Sequence, residues 1–306
     1  MSVTTIRTTA DIHLNRLNQH VLAGTFILDE TQFDLMSETQ LYWATGCTSC
    51  LRAKEFLTRN DISFESYNIA EDMSLLDDME AQGLPRQVPI VKRNDEWVDA
   101  QDLAAVADLT GIEYEAEILP VDELYRRLEI ILEALVEYAE RLPEDKLVGP
   151  IANRPRTVGQ LIYHAFSIPE SFLEHEAGTP LKTYKSEPEW ADLSTESLAT
   201  YGQHIQVRLS DWYEHEAEDT DWSETADVYY GNPTRQGYLE RTVWHSGQHA
   251  RQLEWILEER CEIEAELLDD ELWEGLPMPQ KVWNTDGGDG SVGDDRPNIL
   301  EAMQHN

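Results

Sequence analysis

The chain has 306 residues, of which 41% are hydrophobic and 9% aromatic, so it is long enough for two globular domains with separate cores. It carries 60 Asp and Glu against 23 Lys and Arg, which gives a formal net charge of −37. A field of that sign repels nucleic acids and anionic membranes, so we expect neither as a partner. No apolar run is long enough to span a membrane, and no signal-peptide pattern opens the sequence, which predicts a cytoplasmic protein.

The acidic residues are spread along the chain rather than collected in one tail. Such an excess of surface carboxylates suits a salt-rich cytoplasm, because the carboxylates keep the protein hydrated. An ordinary acidic protein is the alternative. In either case the charge concerns solubility and not catalysis.

The first chemical motif follows an N-terminal extension, residues 1–37, whose own pattern is weak. Residues 38–115 predict the order strand, helix, strand, helix, strand, strand, helix, which is typical of the thioredoxin fold. Cys47 and Cys50 form a Cys-x-x-Cys motif where the first strand turns into the first helix. The sequence therefore predicts an α/β domain with a thiol site at that turn.

The spacing of the two cysteines favours redox chemistry over metal binding. At a helix start, unpaired amide hydrogens and the helix dipole stabilise the thiolate of Cys47. Cys50, one turn later, is placed to resolve a mixed disulfide. The alternative, a zinc half-site, needs a second pair of ligands, but residues 38–115 contain no other Cys and no His.

This stretch resembles a glutaredoxin over residues 39–112. The resemblance implies that Val88 and Pro89 are the family's Val and cis-Pro, which lie against the active-site cysteines and hold a thiol substrate. The sequence itself leaves the isomer open, and an ordinary trans turn proline is the alternative. Asp102 is the candidate for the Asp that helps to bind glutathione. The two glycines that usually precede that Asp are missing here, so glutathione, another small thiol and a protein disulfide all stay open as substrates.

Residues 119–265 predict an all-α domain whose last helix carries two inward-facing histidines. His245 and His249 belong to a stripe that recurs every three or four residues: Leu239, Thr242, His245, His249, Leu253 and Ile256. Two imidazoles at i and i+4 on one helix face can bind one transition-metal ion. The alternative is a pair of core histidines that hydrogen-bond to polar neighbours.

A third histidine, His164, lies on an earlier helix of the same domain. That helix is predicted to start with a capping box of Thr157 and Gln160, and Pro169 is predicted to kink or end it. Three imidazoles from two helices would leave one coordination position open for water or a thiolate, which is the arrangement of catalytic sites.

The mid-helix His164 and the later run His-Ser-Gly-Gln-His-Ala-Arg-Gln-Leu resemble the DinB-like superfamily over about residues 119–262. The resemblance implies a four-helix bundle in which His164, His245 and His249 bind a divalent metal, zinc or nickel, with a low-molecular-weight thiol as cosubstrate. It also raises a homodimer as the oligomeric state to test. Residues 266–306 are predicted to be an acidic, partly flexible tail, and Trp273 and Trp283 are the candidates to anchor it, either on the bundle or on a second subunit.

Together the two domains predict a thiol-dependent, metal-assisted transferase or reductase. In this hypothesis the metal site activates a small thiol or an electrophilic substrate, and the Cys-x-x-Cys resolves the mixed disulfide. One alternative is a glutaredoxin-type thiol–disulfide reductase whose helical bundle is a docking or metal-binding module. Another is a detoxification protein whose two thiols capture a soft metal or metalloid ion.

Overall fold

The computed structural model describes residues 39–115, 117–151, 156–182, 193–265 and 267–284. The predicted N-terminal extension, residues 1–37, and the tail beyond residue 284 lie outside these ranges. The chain divides after Glu115 into two compact units, which are described separately. Across the described ranges, none of the helices combines the length and the apolar composition that crossing a bilayer requires.

The first unit is a four-stranded mixed sheet with three helices. Its elements are β1 (Thr39–Trp43), α1 (Thr48–Arg59), β2 (Phe64–Asn68), α2 (Ser74–Ala81), β3 (Ile90–Arg93), β4 (Glu96–Asp99) and α3 (Leu103–Thr110). The strand order is β2-β1-β3-β4, with β1 and β2 parallel and the other pairs antiparallel. This confirms the predicted thioredoxin-type order of elements.

Both faces of this sheet are covered by apolar side chains. Side chains alternate along a strand, so Leu41 and Trp43 of β1 pack into one cluster with Phe56 of α1. Tyr42, between them, packs on the opposite face with Met79 of α2. The strand that leads into Cys47 is therefore buried on both sides and holds the thiol loop on a rigid support.

The second unit is a bundle of four helices, as predicted. They are α4 (Val121–Arg141), α5 (Val158–Glu176), α6 (Thr195–His215) and α7 (Arg235–Cys261). Helices α4 and α5 each pack against both α6 and α7. The core-facing stripe of α4 is at most 1% exposed and consists of Leu124, Leu128, Ile131, Leu135 and Tyr138.

The start of α5 confirms one prediction from sequence, and its course excludes one of the two alternatives predicted for Pro169. The Thr157 hydroxyl accepts from the Gln160 amide, and the Gln160 side chain accepts from the Thr157 amide, which is the predicted capping box. The helix does not end at Pro169, however, but continues to Glu176. Proline has no N–H for the carbonyl four residues earlier, Ala165. That carbonyl accepts instead from the Ser246 hydroxyl of α7, at 3.4 Å.

Residues 267–284, the described part of the predicted tail, pack on the bundle. Trp283 is 5% exposed and belongs to the bundle core, with its ring centroid 5.6 Å from that of Trp255 on α7. Arg127 of α4 donates to the backbone carbonyls of Leu272, at 2.8 Å, and Glu274. This segment is therefore part of the folded domain, and Trp283 anchors it on the bundle as predicted.

Candidate thiol and metal sites

Cys47 occupies the residue before the first turn of α1, and its sulfur accepts from the Cys50 amide at 3.1 Å. The preceding Gly46 has φ +77°, a left-handed conformation that favours glycine. This turn directs the chain from β1 into the helix start, where amide hydrogens point at the sulfur. The sequence-based placement of Cys47 at a helix N-terminus is confirmed.

Cys47 and Cys50 form a disulfide with their Cα atoms 5.2 Å apart. Cys50 is fully buried, whereas Cys47 is partly exposed. Because attack on an external disulfide needs a reachable sulfur, this difference favours Cys47 as the nucleophile and Cys50 as the resolving thiol.

The residues predicted to hold a thiol substrate lie in two different places: Val88 and Pro89 precede β3, and Asp102 precedes α3. The peptide bond between Val88 and Pro89 is cis. Ile90 pairs with Tyr42 in the sheet, so the register places Val88 and Pro89 alongside the residues that lead from β1 to Cys47. The Asp102 carboxylate caps α3 by accepting from the amides of residues 104 and 105, at 3.0 and 3.1 Å. The structure thus gives Asp102 a capping role, and its role toward a thiol remains a prediction.

The three predicted metal ligands meet inside the bundle. His164 comes from α5, and His245 and His249 come from the adjacent α7; their exposed fractions are 6%, 9% and 0%. One ring nitrogen of each lies within 4.8 Å of those of the other two. The ring centroids are 4.9 to 5.5 Å apart. The predicted stripe on α7 is buried along its whole length, which places both of its histidines in the interior.

The protonation of His249 follows from its neighbour Gln252. The Gln252 amide nitrogen donates to the Val282 carbonyl at 3.0 Å, which fixes the orientation of the amide group. Its oxygen, 2.8 Å from His249 Nδ1, must then accept, so Nδ1 carries the hydrogen. The lone pair of the neutral ring therefore lies on Nε2. Metal-binding histidines commonly show this arrangement, with the second ring nitrogen donating to an oxygen.

A cavity of about 50 Å³ opens beside the histidines. His164 and His245 line it, together with Ser167 and Ser171 of α5 and Tyr238 and Arg241 of α7. Room for on the order of four water molecules is enough for a small ligand to approach the cluster. The three imidazoles and this opening fit a divalent transition-metal ion, such as zinc or nickel, with one coordination position left for a ligand.

Three residues around the cluster were not identified from the sequence. Gln252 lies one turn after His249, and Arg241 lies one turn before His245, so helical spacing places both beside the histidines. Tyr238 is one turn before Arg241. Gln252 lies three residues after His249, and Arg241 lies four residues before His245. These spacings could have identified both residues from the sequence. The partner of Gln252 was not detectable, because Val282 lies in a segment without a clear pattern.

Comparison with known protein families supports this division of the chain. The family model described as Glutaredoxin matches residues 39–98, and the model described as DinB superfamily matches residues 127–253. Searches of curated proteins and of solved structures each gave no significant match. The glutaredoxin match includes Cys47 and Cys50, and the DinB match includes all three histidines of the cluster. The chain therefore contains a glutaredoxin match over residues 39–98, followed by a DinB superfamily match over residues 127–253.

Proposed function

We propose that this protein is a thiol-dependent, metal-assisted transferase or reductase. The observation that carries the proposal is the convergence of three buried imidazoles, from two helices, beside a small cavity. A closed structural site would use its fourth position for a protein ligand, whereas the cavity gives this position to a small molecule. His164, His245 and His249 are the proposed ligands.

The bundle would carry out the group-transfer step. A divalent ion held by the three imidazoles would act as a Lewis acid, lowering the pKa of a bound thiol or polarising an electrophile. The thiolate sulfur forms a bond to the electrophilic carbon, and the leaving group departs with the bonding electron pair. The proton of the thiol goes to solvent. His249 contributes a fixed Nε2 lone pair, because Gln252 holds its hydrogen on Nδ1.

The glutaredoxin domain would carry out the disulfide step. The Cys47 thiolate attacks one sulfur of a mixed disulfide, and the electrons of the broken S–S bond leave with the departing thiolate. Cys50 then attacks the Cys47 sulfur, forms the Cys47–Cys50 disulfide and expels the second thiolate. Two further small thiols reduce this disulfide and are themselves oxidised to a disulfide. Val88, Pro89 and Asp102 are the proposed contacts for the small thiol.

The second candidate function is a thiol–disulfide reductase whose bundle is a docking or metal-binding module. The Cys47–Cys50 pair at a helix start, within a glutaredoxin domain, supports it without any group transfer in the bundle. The two candidates differ in what the three histidines are needed for. In the first they are required for transfer of a thiol to carbon, and in the second only the cysteines are required for turnover.

Two variants and two assays separate these functions. Metal content is measured for the purified protein and for the variants His245→Ala and Cys47→Ser. Each is then assayed for transfer of several small thiols to a halogenated aromatic electrophile and for reduction of hydroxyethyl disulfide. We expect about one equivalent of metal, lost in His245→Ala and kept in Cys47→Ser, since removal of one of three ligands opens the site.

Each variant should then lose a different one of the two activities. His245→Ala should lose transfer to carbon and keep disulfide reduction, and Cys47→Ser should lose disulfide reduction. If His245→Ala retains full transfer activity, or if no thiol is transferred to carbon by the metal-loaded protein, the reductase alternative is supported. Metal that leaves with Cys47→Ser instead would refute the three-histidine site.

A further inference from the structure

Two loops of the first unit hold the proposed contacts for the small thiol. The proline loop, residues 87–89, precedes β3, and the β4–α3 loop, residues 100–102, precedes α3. The Asp99 carboxylate bonds to both loops. One of its oxygens accepts from the Gln87 side-chain amide at 2.8 Å, and the other accepts from the Gln101 backbone amide at 2.9 Å. This one side chain therefore ties together the two loops that the substrate would contact.

A backbone hydrogen bond joins the same two loops beside this bridge. The Ala100 amide donates to the Pro89 carbonyl at 2.9 Å. The bond between Gln87 and Asp99 acts at a second point, two residues earlier on one loop and one residue earlier on the other. Its acceptor is a carboxylate, and such bonds are stronger than those between neutral groups. Two bonds at separate points fix the direction of the proline loop as well as its distance.

The β4–α3 loop is in turn bonded to the helix that carries the cysteines. Arg52 of α1, two residues after Cys50, is 7% exposed, and its guanidinium donates to the Gln101 carbonyl. The bonds of Gln101 and Asp99 thus extend from Arg52 to the proline loop. This chain of bonds sets where the proline loop lies relative to the start of α1.

The bridge uses a position at which this chain departs from the glutaredoxin pattern. Asp99 and Ala100 stand where that family usually has two glycines before the Asp that corresponds to Asp102. A glycine has no side chain that could accept from Gln87. The side-chain link between the two loops therefore depends on the residue that replaces the first glycine.

We infer that Asp99 and Gln87 are positioning residues for the thiol–disulfide step of the glutaredoxin domain. Their bond holds the proline loop where it can align a disulfide substrate with the Cys47 sulfur. Attack on a disulfide needs the reacting sulfurs to be close and aligned, so a displaced loop slows this step while the reactivity of Cys47 itself stays the same. The inference rests on the proposed function and deepens it, because it assigns two further residues to the same site.

The test compares two reactions of Cys47 in the reduced full-length protein, of which one uses the proline loop. Oxidation by hydroxyethyl disulfide needs an aligned substrate, whereas alkylation by iodoacetamide reports the thiolate alone. We expect Gln87→Met and Asp99→Ala each to lower the second-order rate constant of oxidation about tenfold, the order of effect of losing a hydrogen bond to a charged group. Alkylation of Cys47, quantified on its own peptide apart from that of Cys261, should keep its rate and its pH dependence.

Two further variants separate this bond from a general loss of structure. Asp99→Asn keeps an acceptor for the Gln101 amide, and its own amide can donate to the Gln87 side-chain oxygen, so it should retain most of the oxidation rate. The double variant Gln87→Met/Asp99→Ala should react no more slowly than Asp99→Ala alone, because both changes break the same bond. Losses that add up in the double variant, or equal slowing of oxidation and alkylation in Gln87→Met, overturn the inference.

The matched control is Asp72→Ala. Asp72 likewise accepts from the backbone amide two residues later, that of Ser74, at 3.0 Å, but it also accepts from the Ser74 hydroxyl, at 2.6 Å, instead of from the proline loop. This variant should leave both rate constants unchanged. Slower oxidation in Asp72→Ala, equal to that in Asp99→Ala, would mean that the link to the proline loop is not the cause.

The unsubstituted protein separates this inference from the proposed function. If it does not react with the disulfide at all, the disulfide step of the proposed function fails, and this inference fails with it. If it reacts, and Gln87→Met and Asp99→Ala react equally fast, the positioning role alone is refuted and the disulfide step stands.

Discussion

Gln252 joins the proposed metal site to the C-terminal segment, residues 267–284, because one of its amide atoms faces His249 and the other faces the Val282 carbonyl. That amide holds the ring of His249 in one orientation and one tautomer. We expect Gln252→Leu to weaken zinc binding by about 10- to 100-fold, the usual cost of losing such a partner. Competition with a chromophoric zinc chelator measures the affinity.

Gln248 provides the matched control for Gln252. It also donates to the Val282 carbonyl, at 2.7 Å, but the structure shows it bonded to Arg251 and to the C-terminal segment rather than to a histidine. Gln248→Leu should therefore retain most of the zinc affinity. Equal losses in the two variants would mean that docking of the segment matters and that the bond to His249 does not.

The variants Cys50→Ser and Cys47→Ser should give different products when they react with a small disulfide. In Cys50→Ser the reachable Cys47 keeps its helix-start position but has no resolving thiol, so reaction with a small disulfide should stop at one mixed disulfide per chain. In Cys47→Ser the buried Cys50 should remain unmodified. Mass spectrometry of proteolytic peptides assigns each modification to its cysteine and separates it from any reaction at the free Cys261. Modification of Cys50 in the Cys47→Ser protein would reverse the assigned roles.

At the scale of the helices, two glycines should respond oppositely to alanine. A Cβ on Gly202 of α6 would lie 2.7 Å from Val136 Cγ2 and also overlap the Phe166 ring. The overlap should cost about 1–3 kcal/mol, which exceeds the gain of about 1 kcal/mol in helix propensity. Gly202→Ala is therefore expected to lower the free energy of unfolding, as measured by urea denaturation.

Gly159, in the first turn of α5, is the control for this prediction. A Cβ there would meet its nearest neighbour, Leu193 Cδ1, at 3.4 Å, which is ordinary contact. Gly159→Ala should be neutral or stabilising, because it restricts the unfolded chain without crowding the folded one. If both variants lose stability to the same extent, close packing at Gly202 is not the cause.

The order of elements was predictable because it depends on local periodicity and capping. The inward stripes of α4 and α7, the capping box at Thr157 and the helix start at Cys47 are all short-range patterns. The three histidines followed from the same periodicity, once two helices were expected to pack together.

Features that depend on partners distant in sequence were not predictable. Pro169 does not end α5, because Ser246 from another helix donates to the carbonyl that the proline leaves. The tautomer of His249 depends on Val282, which orients the Gln252 amide from a different part of the chain. The isomer of the Val88–Pro89 bond was likewise left open, since cis and trans prolyl bonds differ little in free energy.

At the scale of the whole molecule, the charge of −37 should make stability depend on salt. Self-repulsion among carboxylates opposes the compact state, and added salt screens it. We expect the melting temperature to rise as sodium chloride increases from about 0.01 to 1 M, where the screening length falls from about 30 to 3 Å. Calorimetry at constant pH measures the shift.

Potassium chloride and a neutral osmolyte serve as controls for the salt effect. Potassium chloride should act like sodium chloride, since screening depends on ionic strength. Sucrose at matched osmolarity should not reproduce the salt curve. A melting temperature that stays constant across the salt range would show that the acidic surface carries no significant repulsion.

The docking of residues 267–284 on α4 and α7 makes the proposed metal site a reporter of whether this segment is in place. All four helices are synthesised before the segment whose Val282 carbonyl orients Gln252. A chain that stops at residue 265 should thus form the helices, as judged by circular dichroism, yet hold zinc more weakly than the full chain. Equal affinity would refute this coupling. If the coupling holds, a nascent or clipped chain without residues 267–284 should hold zinc weakly, and a chain that includes them should retain it.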